Sequence, residues 1–146
     1  VRDAKASGVL MDVGHGLHNL NFDVARNVLD QGLHPDGVST DGHRGNRAGP
    51  VYDLPTTMAK LMALGFSLKQ VIEMATANAA RLLGRSNELG TLRIGAAADI
   101  SVLKIEEREW KAIDSQKGMI PAHQTITPVY AIRGDMIYEP LPVERP

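Results

Sequence analysis

The chain has 146 residues, room for one ordinary domain with a single buried core. Its 16 basic and 17 acidic residues balance, which gives no reason to expect a nucleic-acid or anionic-membrane partner. It contains no cysteine, so disulfides, thiolate nucleophiles and thiolate metal sites are excluded, and no apolar run approaches the roughly 18–20 residues of a membrane span.

The N-terminus, VRDAKASGVL, starts without Met and without the apolar region of a signal peptide. It reads as the end of a helix feeding a strand, as if the chain began mid-domain, and the expected compartment is the cytoplasm. GVLMDV, residues 8–13, is a compact apolar run suited to a strand buried on both faces. It opens into GHGLHN, which carries His15, His18 and Asn19. Asn21 is placed to cap a helix over 22–31, whose Phe22, Ala25, Val28 and Leu29 fall at three- and four-residue spacing before a stop at Gly32. GVST, residues 37–40, is a second strand. Strand, loop, helix and strand in this order make a βαβ unit, which predicts two parallel neighbours.

The second strand runs straight into Asp41, with Gly42, His43, Gly45 and Asn46 behind it. Pro55, after Asp53 and Leu54, marks the first turn of a helix over 55–64 with Met58, Leu61 and Met62 on its apolar face. Ser67 and Gln70 form a capping box for the next helix, which buries Val71, Ile72, Met74 and Ala75. TANAARLLGR continues as a further short helix ended by Gly84. From residue 86 the character changes. LGTLRIGAAADISVLKI has Gly turns around short strands, and TPVYAIRGDMIYEP predicts a hairpin turning at Gly134-Asp135. Between them EEREWKAIDSQKGMIPAHQ reads as a polar, mobile loop, and the proline-rich EPLPVERP as a tail.

Residue types alone leave the chemistry open. An Asp at the mouth of a loop is first of all a turn or helix cap. His18 reads as a surface loop residue, and His34 and His123 as solvent-exposed. Met58, Met62 and Met74 are ordinary core packing.

Five stretches narrow this: GVLMDVGHG, GVSTDGH, NRAGPVYDLPTTMAKLMALG, EMATANAARLLG and GTLRIGAAADISVL. In this order and spacing the chain resembles the C-terminal portion of metal-dependent amidohydrolases, most closely the deacetylase-like, dihydroorotase-related branch. The resemblance implies an α/β architecture. Residues 1–85 would be the last two strands and helices of a (β/α)8 TIM-type barrel, residues 86–140 strands of a small β-sandwich, and 141–146 a tail. Catalytic groups of such barrels stand at the C-terminal ends of strands. By that likeness Asp41 is a metal ligand and the base that takes a proton from the metal-activated water. His15 looks like a substrate-orienting or oxyanion-contacting imidazole; His43, close behind Asp41, and Asn46 in the same loop are candidates for substrate contact. The complete enzyme would use a divalent metal, zinc being the expected one. It would hydrolyse a C–N amide, a cyclic amide or an acetyl ester in a small-molecule substrate.

Two departures from the family pattern matter. Asn78-Ala79 stands where the family usually reads Asn-Pro. The His-x-His pair of the first barrel strand, the bridging carboxylated Lys and the further His ligands of middle strands have no counterpart here; His15 and His18, three residues apart, are no substitute. The expectation is therefore a fragment of a metal-dependent hydrolase. Its alternative is an inactive truncated domain that folds or oligomerises and binds no metal on its own, and a third possibility is one half of a split enzyme. Two barrel strands cannot close a barrel, and their open edges lead us to expect a homo-oligomer.

Overall fold

In the computed structural model, which describes residues 1–141, Asp12–Gly14 (β1) and Gly37–Ser39 (β2) pair in parallel, Asp12 opposite Gly37 and Gly14 opposite Ser39. The crossover between them is the helix Phe22–Asp30 (α2), capped as expected by Asn21, whose side chain accepts from the Val24 N–H at 2.9 Å. The first strand is shorter than its apolar run suggests. Gly8, at φ 86, follows a short helix, Arg2–Ala6 (α1), and Val9 and Leu10 are exposed. Pairing starts only where Asp36 fixes the chain: its Oδ2 accepts from the Met11 N–H at 2.9 Å and from Lys5 Nζ at 2.8 Å.

Asp53 caps the helix Leu54–Ala63 (α3) by accepting from the Thr56 N–H at 2.8 Å, with Pro55 in the first turn. The capping box of Ser67 and Gln70 opens Leu68–Ala75 (α4). Thr76 leaves the helical region (φ −127, ψ −91) before Ala77–Leu82 (α5) begins. Its hydroxyl donates back to the Ile72 carbonyl at 2.6 Å, a local bond that competes with helix continuation.

The largest departure from the sequence reading lies at 106–124. The expected loop is the middle of a long antiparallel hairpin, Asp99–Ile113 (β3) with Met119–Arg133 (β4), extended by Met136–Tyr138 (β5) around the expected turn at Gly134. The physical reason is period-2 burial hidden among charges. Ala112, Ile120, Ala122 and Ile126 are buried, while Glu107, Glu109 and Lys111 face solvent. Of the stretch 89–105, expected as short strands between Gly turns, only 99–105 is strand, the start of the 15-residue β3, which is bulged after Val102 and after Glu107; residues 89–98 form no strand.

Two buried clusters form the interior. One joins Val38, Met58, Leu61, Phe66, Val71 and Met74 to Ile126; the other joins Leu20 and Phe22 to Ala112, Ile120 and Ala122. Each mixes residues from both sides of position 86, so the hairpin shares its core with the helices. Five residues, 142–146, lie outside the described part and include most of the expected tail. Among the described residues no helix is long and apolar enough to cross a membrane.

Candidate active site at the strand ends

Parallel pairing brings the C-terminal ends of β1 and β2 to one side. The ladder continues past both strands: the His15 N–H donates to the Ser39 carbonyl at 3.1 Å and the Gly16 N–H to the Thr40 carbonyl at 3.0 Å. Strand alternation then puts Asp12, Gly14 and Gly16 on the same face as Ser39 and Asp41. The Ser39 hydroxyl donates to Asp12 on that face. A Cβ on Gly14 would lie 3.9 Å from Asp41 Cβ, and one on Gly16 only 2.9 Å from Asp41 Oδ2. At Gly16 the bare backbone makes room for the Asp41 carboxylate, whereas at Gly14 a Cβ would be in ordinary van der Waals contact with the Asp41 side chain.

Asp41 is exposed and takes a left-handed conformation, φ 47. Asp tolerates this region better than most residues, and such backbone concentrates at functional sites. Asn19 donates to Asp41 Oδ2 at 3.2 Å. The Asp41 carbonyl accepts from Asn46 Nδ2 at 3.0 Å, and Asn46 Oδ1 accepts from the His43 N–H at 2.7 Å. Asn46 is fully buried, and its own carbonyl accepts from the Gly49 and Val51 N–H groups. Its amide therefore organises the loop from within. His43 is exposed, and its Nδ1 accepts from the Gly45 N–H at 3.1 Å.

His15 lies behind this surface, fully buried. Its Nδ1 contacts the Gly16 carbonyl at 2.9 Å and its Nε2 contacts Lys60 Nζ at 2.8 Å. Both ring nitrogens are engaged within the chain, so a substrate contact by His15 would require one of them to be released. Burial, and then the neighbouring Lys60 charge, hold its pKa below the usual value and keep the ring neutral. Lys60 comes from α3 and is itself fully buried; it also donates to the Pro50 carbonyl, and Nζ sits 5.7 Å from the centre of the Tyr52 ring. Burial brings its pKa down to about 7, against the opposing fields of Asp114 and Asp53.

Of the expected site residues, the structure places Asp41, His43 and Asn46 in one loop and His15 beneath it. His18, His34 and His123 are exposed, as expected. Asn19 and Lys60 were not singled out from the sequence. Asn19 lies in the Gly/His turn GHGLHN. Lys60 left no such signal, since residues 56–61 of α3 are all buried and no one-sided pattern sets it apart.

A divalent metal does not fit these residues alone. Among the described residues no three His, Asp, Glu or Cys side chains converge. At Asp41 an ion would find one carboxylate and a neutral amide, short of the three or four protein ligands of a tight site.

A family model described as the amidohydrolase family matches residues 16–133. A deacetylase of Enterococcus faecalis is 38% identical over 133 residues, covering 90% of this chain and 36% of that protein. A deacetylase of Brucella anthropi is 34% identical over 127 residues, covering 87% and 31%. Among solved structures, an adenine deaminase superposes with a TM-score of 0.90 at 36% identity, covering 95% of this chain and 38% of that one. A dihydroorotase superposes at 0.84 with 31% identity, covering 94% and 37%. The chain spans about a third of the length of these relatives. Matched by the family model over most of its length, and similar in sequence and in fold to these proteins, the chain belongs to the amidohydrolase family.

Proposed function

We propose that these residues are the C-terminal part of a metal-dependent hydrolase acting on a C–N amide, a cyclic amide or an acetyl ester. In this reading β1 and β2 are the last two strands of a (β/α)8 barrel, and β3–β5 belong to the flanking sandwich. Asp41 is the carboxylate that accepts a proton from the attacking water and returns one to the leaving group. It would also be one ligand of a divalent metal, zinc in the first instance, held together with residues beyond those present here. The bound metal would polarise the substrate carbonyl and acidify water. His43, exposed beside Asp41, is the proposed substrate contact; Asn46 shapes the loop that carries both, and His15 backs it.

The observation that supports this most is Asp41 itself. It is a solvent-facing carboxylate just past the C-terminal end of a parallel strand, left-handed, and set against Gly16, just past the end of the neighbouring strand. The lone carboxylate also favours a second reading for the 146-residue polypeptide by itself, as a folded domain that is inert and binds no metal. Zinc binding separates the levels. In an enzyme that carries these residues together with the rest of the barrel, Asp41→Asn should weaken zinc binding at least about tenfold, because one charged ligand is lost. Unchanged zinc affinity would remove Asp41 from the metal site.

A further inference from the structure

Lys60 is a basic side chain buried in the core of this chain, and its place there has a consequence for the site. The Gly16 carbonyl can only accept, so His15 Nδ1 must carry the ring proton and Nε2 must be the acceptor for Lys60 Nζ. The Gly16 carbonyl thereby sets the tautomer, and Nζ holds the opposite edge of the imidazole. The same Nζ donates to the Pro50 carbonyl, in the loop that begins at Asp41. On its other side His15 presents its carbonyl to the Leu20 N–H at 3.0 Å and to the Ser115 hydroxyl at 3.1 Å. A single nitrogen thus joins the segment after β1 to the loop after β2, the two segments that border Asp41.

We propose that Lys60 is a positioning residue of the site: its Nζ locks the His15 ring and the 41–52 loop against each other, and so sets where Asp41 and His43 stand without touching substrate. Two N–H groups are enough for two acceptors, so the neutral amine serves as well as the ammonium. This is consistent with the depressed basicity that burial imposes. The groups facing Nζ are the His15 ring after β1, the Tyr52 ring in the loop, Asp53 at the start of α3 and Asp114 in the turn between β3 and β4. The catalytic consequence rests on the reading of Asp41 above; the contacts themselves can be tested without turnover.

The test is ring-nitrogen NMR of His15 in the wild-type chain and in Lys60→Met, which keeps the length and loses the donor. In the wild type we expect a neutral Nδ1–H tautomer with Nε2 shifted as a hydrogen-bond acceptor. In Lys60→Met the Nε2 signal should move to that of a free acceptor. The protonation midpoint of His15 should rise, because the Lys60 charge that depresses it is gone. Amide exchange at Val51 and Tyr52 should speed up about tenfold or more. A Nε2–H tautomer in the wild type, or identical His15 signals in the two proteins, would overturn the proposal. Should the variant not fold, the wild type decides: an Nε2 signal at the position of a free acceptor would overturn the proposal, and one shifted as a hydrogen-bond acceptor supports it. An inert Asp41 beside a His15 that answers to Lys60 would refute the hydrolase reading alone, and an active enzyme with an indifferent His15 would refute this inference alone.

Discussion

Asp41, Gly16 and Asn19 form the smallest unit whose chemistry can be tested residue by residue. Gly16 sits at φ 52, and a Cβ there would come within 2.5 Å of Asn19 Nδ2 as well as 2.9 Å of Asp41 Oδ2. Gly16→Ala should therefore cost about 1–2 kcal/mol in urea denaturation from backbone strain alone, and should displace the Asp41 carboxylate. A variant as stable as the wild type would mean that the turn readily rearranges. The buried lysine gives a second expectation, with a definite sign. Its folded pKa is lowered from 10.5 to about 7, so between those values the unfolded chain binds more protons than the folded one. Stability relative to Lys60→Met should rise as pH goes from about 7 towards 10.5, and the cost of the buried charge should be fully present below about 7. Thermal melts of both proteins across that range would check the direction. The place of Asp41 at the end of a strand is legible in the sequence because the short run Gly37 to Thr40 leads straight into it; its role rests on the family resemblance. Lys60 is not legible in the same way, because a helical lysine reads by default as a solvent-facing charge and residues 56–61 are buried on every side of α3.

At the scale of elements, the hairpin tip is what braces the site. Asp114, nearly fully buried, accepts from the Gln116 and Gly118 N–H groups with Oδ1, at 2.8 and 2.7 Å, and from the Phe22 N–H at the start of α2 with Oδ2, at 2.9 Å. Ser115 adds bonds between its hydroxyl and the Leu20 N–H and between its N–H and the Leu20 carbonyl. Asp114→Asn turns one acceptor into a donor that faces an N–H, so destabilisation of roughly 1–3 kcal/mol is expected from the urea midpoint. Faster amide exchange at Phe22 and Leu20 should accompany it, and exchange confined to 116–118 would show that the tip does not brace the α2 entry. None of this was visible in the sequence. Charges at Glu107, Glu109 and Lys111 masked the alternation of Ala112, Ile120 and Ala122, and a long-range carboxylate cap leaves no local pattern. The βαβ unit, the helix caps at Asn21 and Ser67, and the last hairpin were legible because each is written in residues within a few positions of one another.

For the molecule as a whole, the open question is what lies against β1 and β2. Among the described residues they form a two-stranded sheet, so each has a neighbour on one side only. Unpaired strand edges recruit other strands, and the exposed Val9 and Leu10 stand just before β1. We propose that the 146-residue polypeptide on its own associates through these edges rather than through 120–146, most simply as a two-fold dimer. Light scattering at micromolar concentration should then give a mass of at least twice the 15.8 kDa of the chain, and a stable monomer would contradict it. The same polypeptide with added zinc should hydrolyse neither N-acetylated amino acids nor dihydroorotate above an Asp41→Ala control. Turnover that depends on Asp41 would mean that a partner copy supplies the remaining ligands. The central claim, that Asp41 is the proton-transferring carboxylate, is tested most directly by kcat. Asp41→Asn in an enzyme carrying these residues within a complete barrel should lose at least about a hundredfold in kcat, whereas a kcat within a few-fold of the wild type would contradict it.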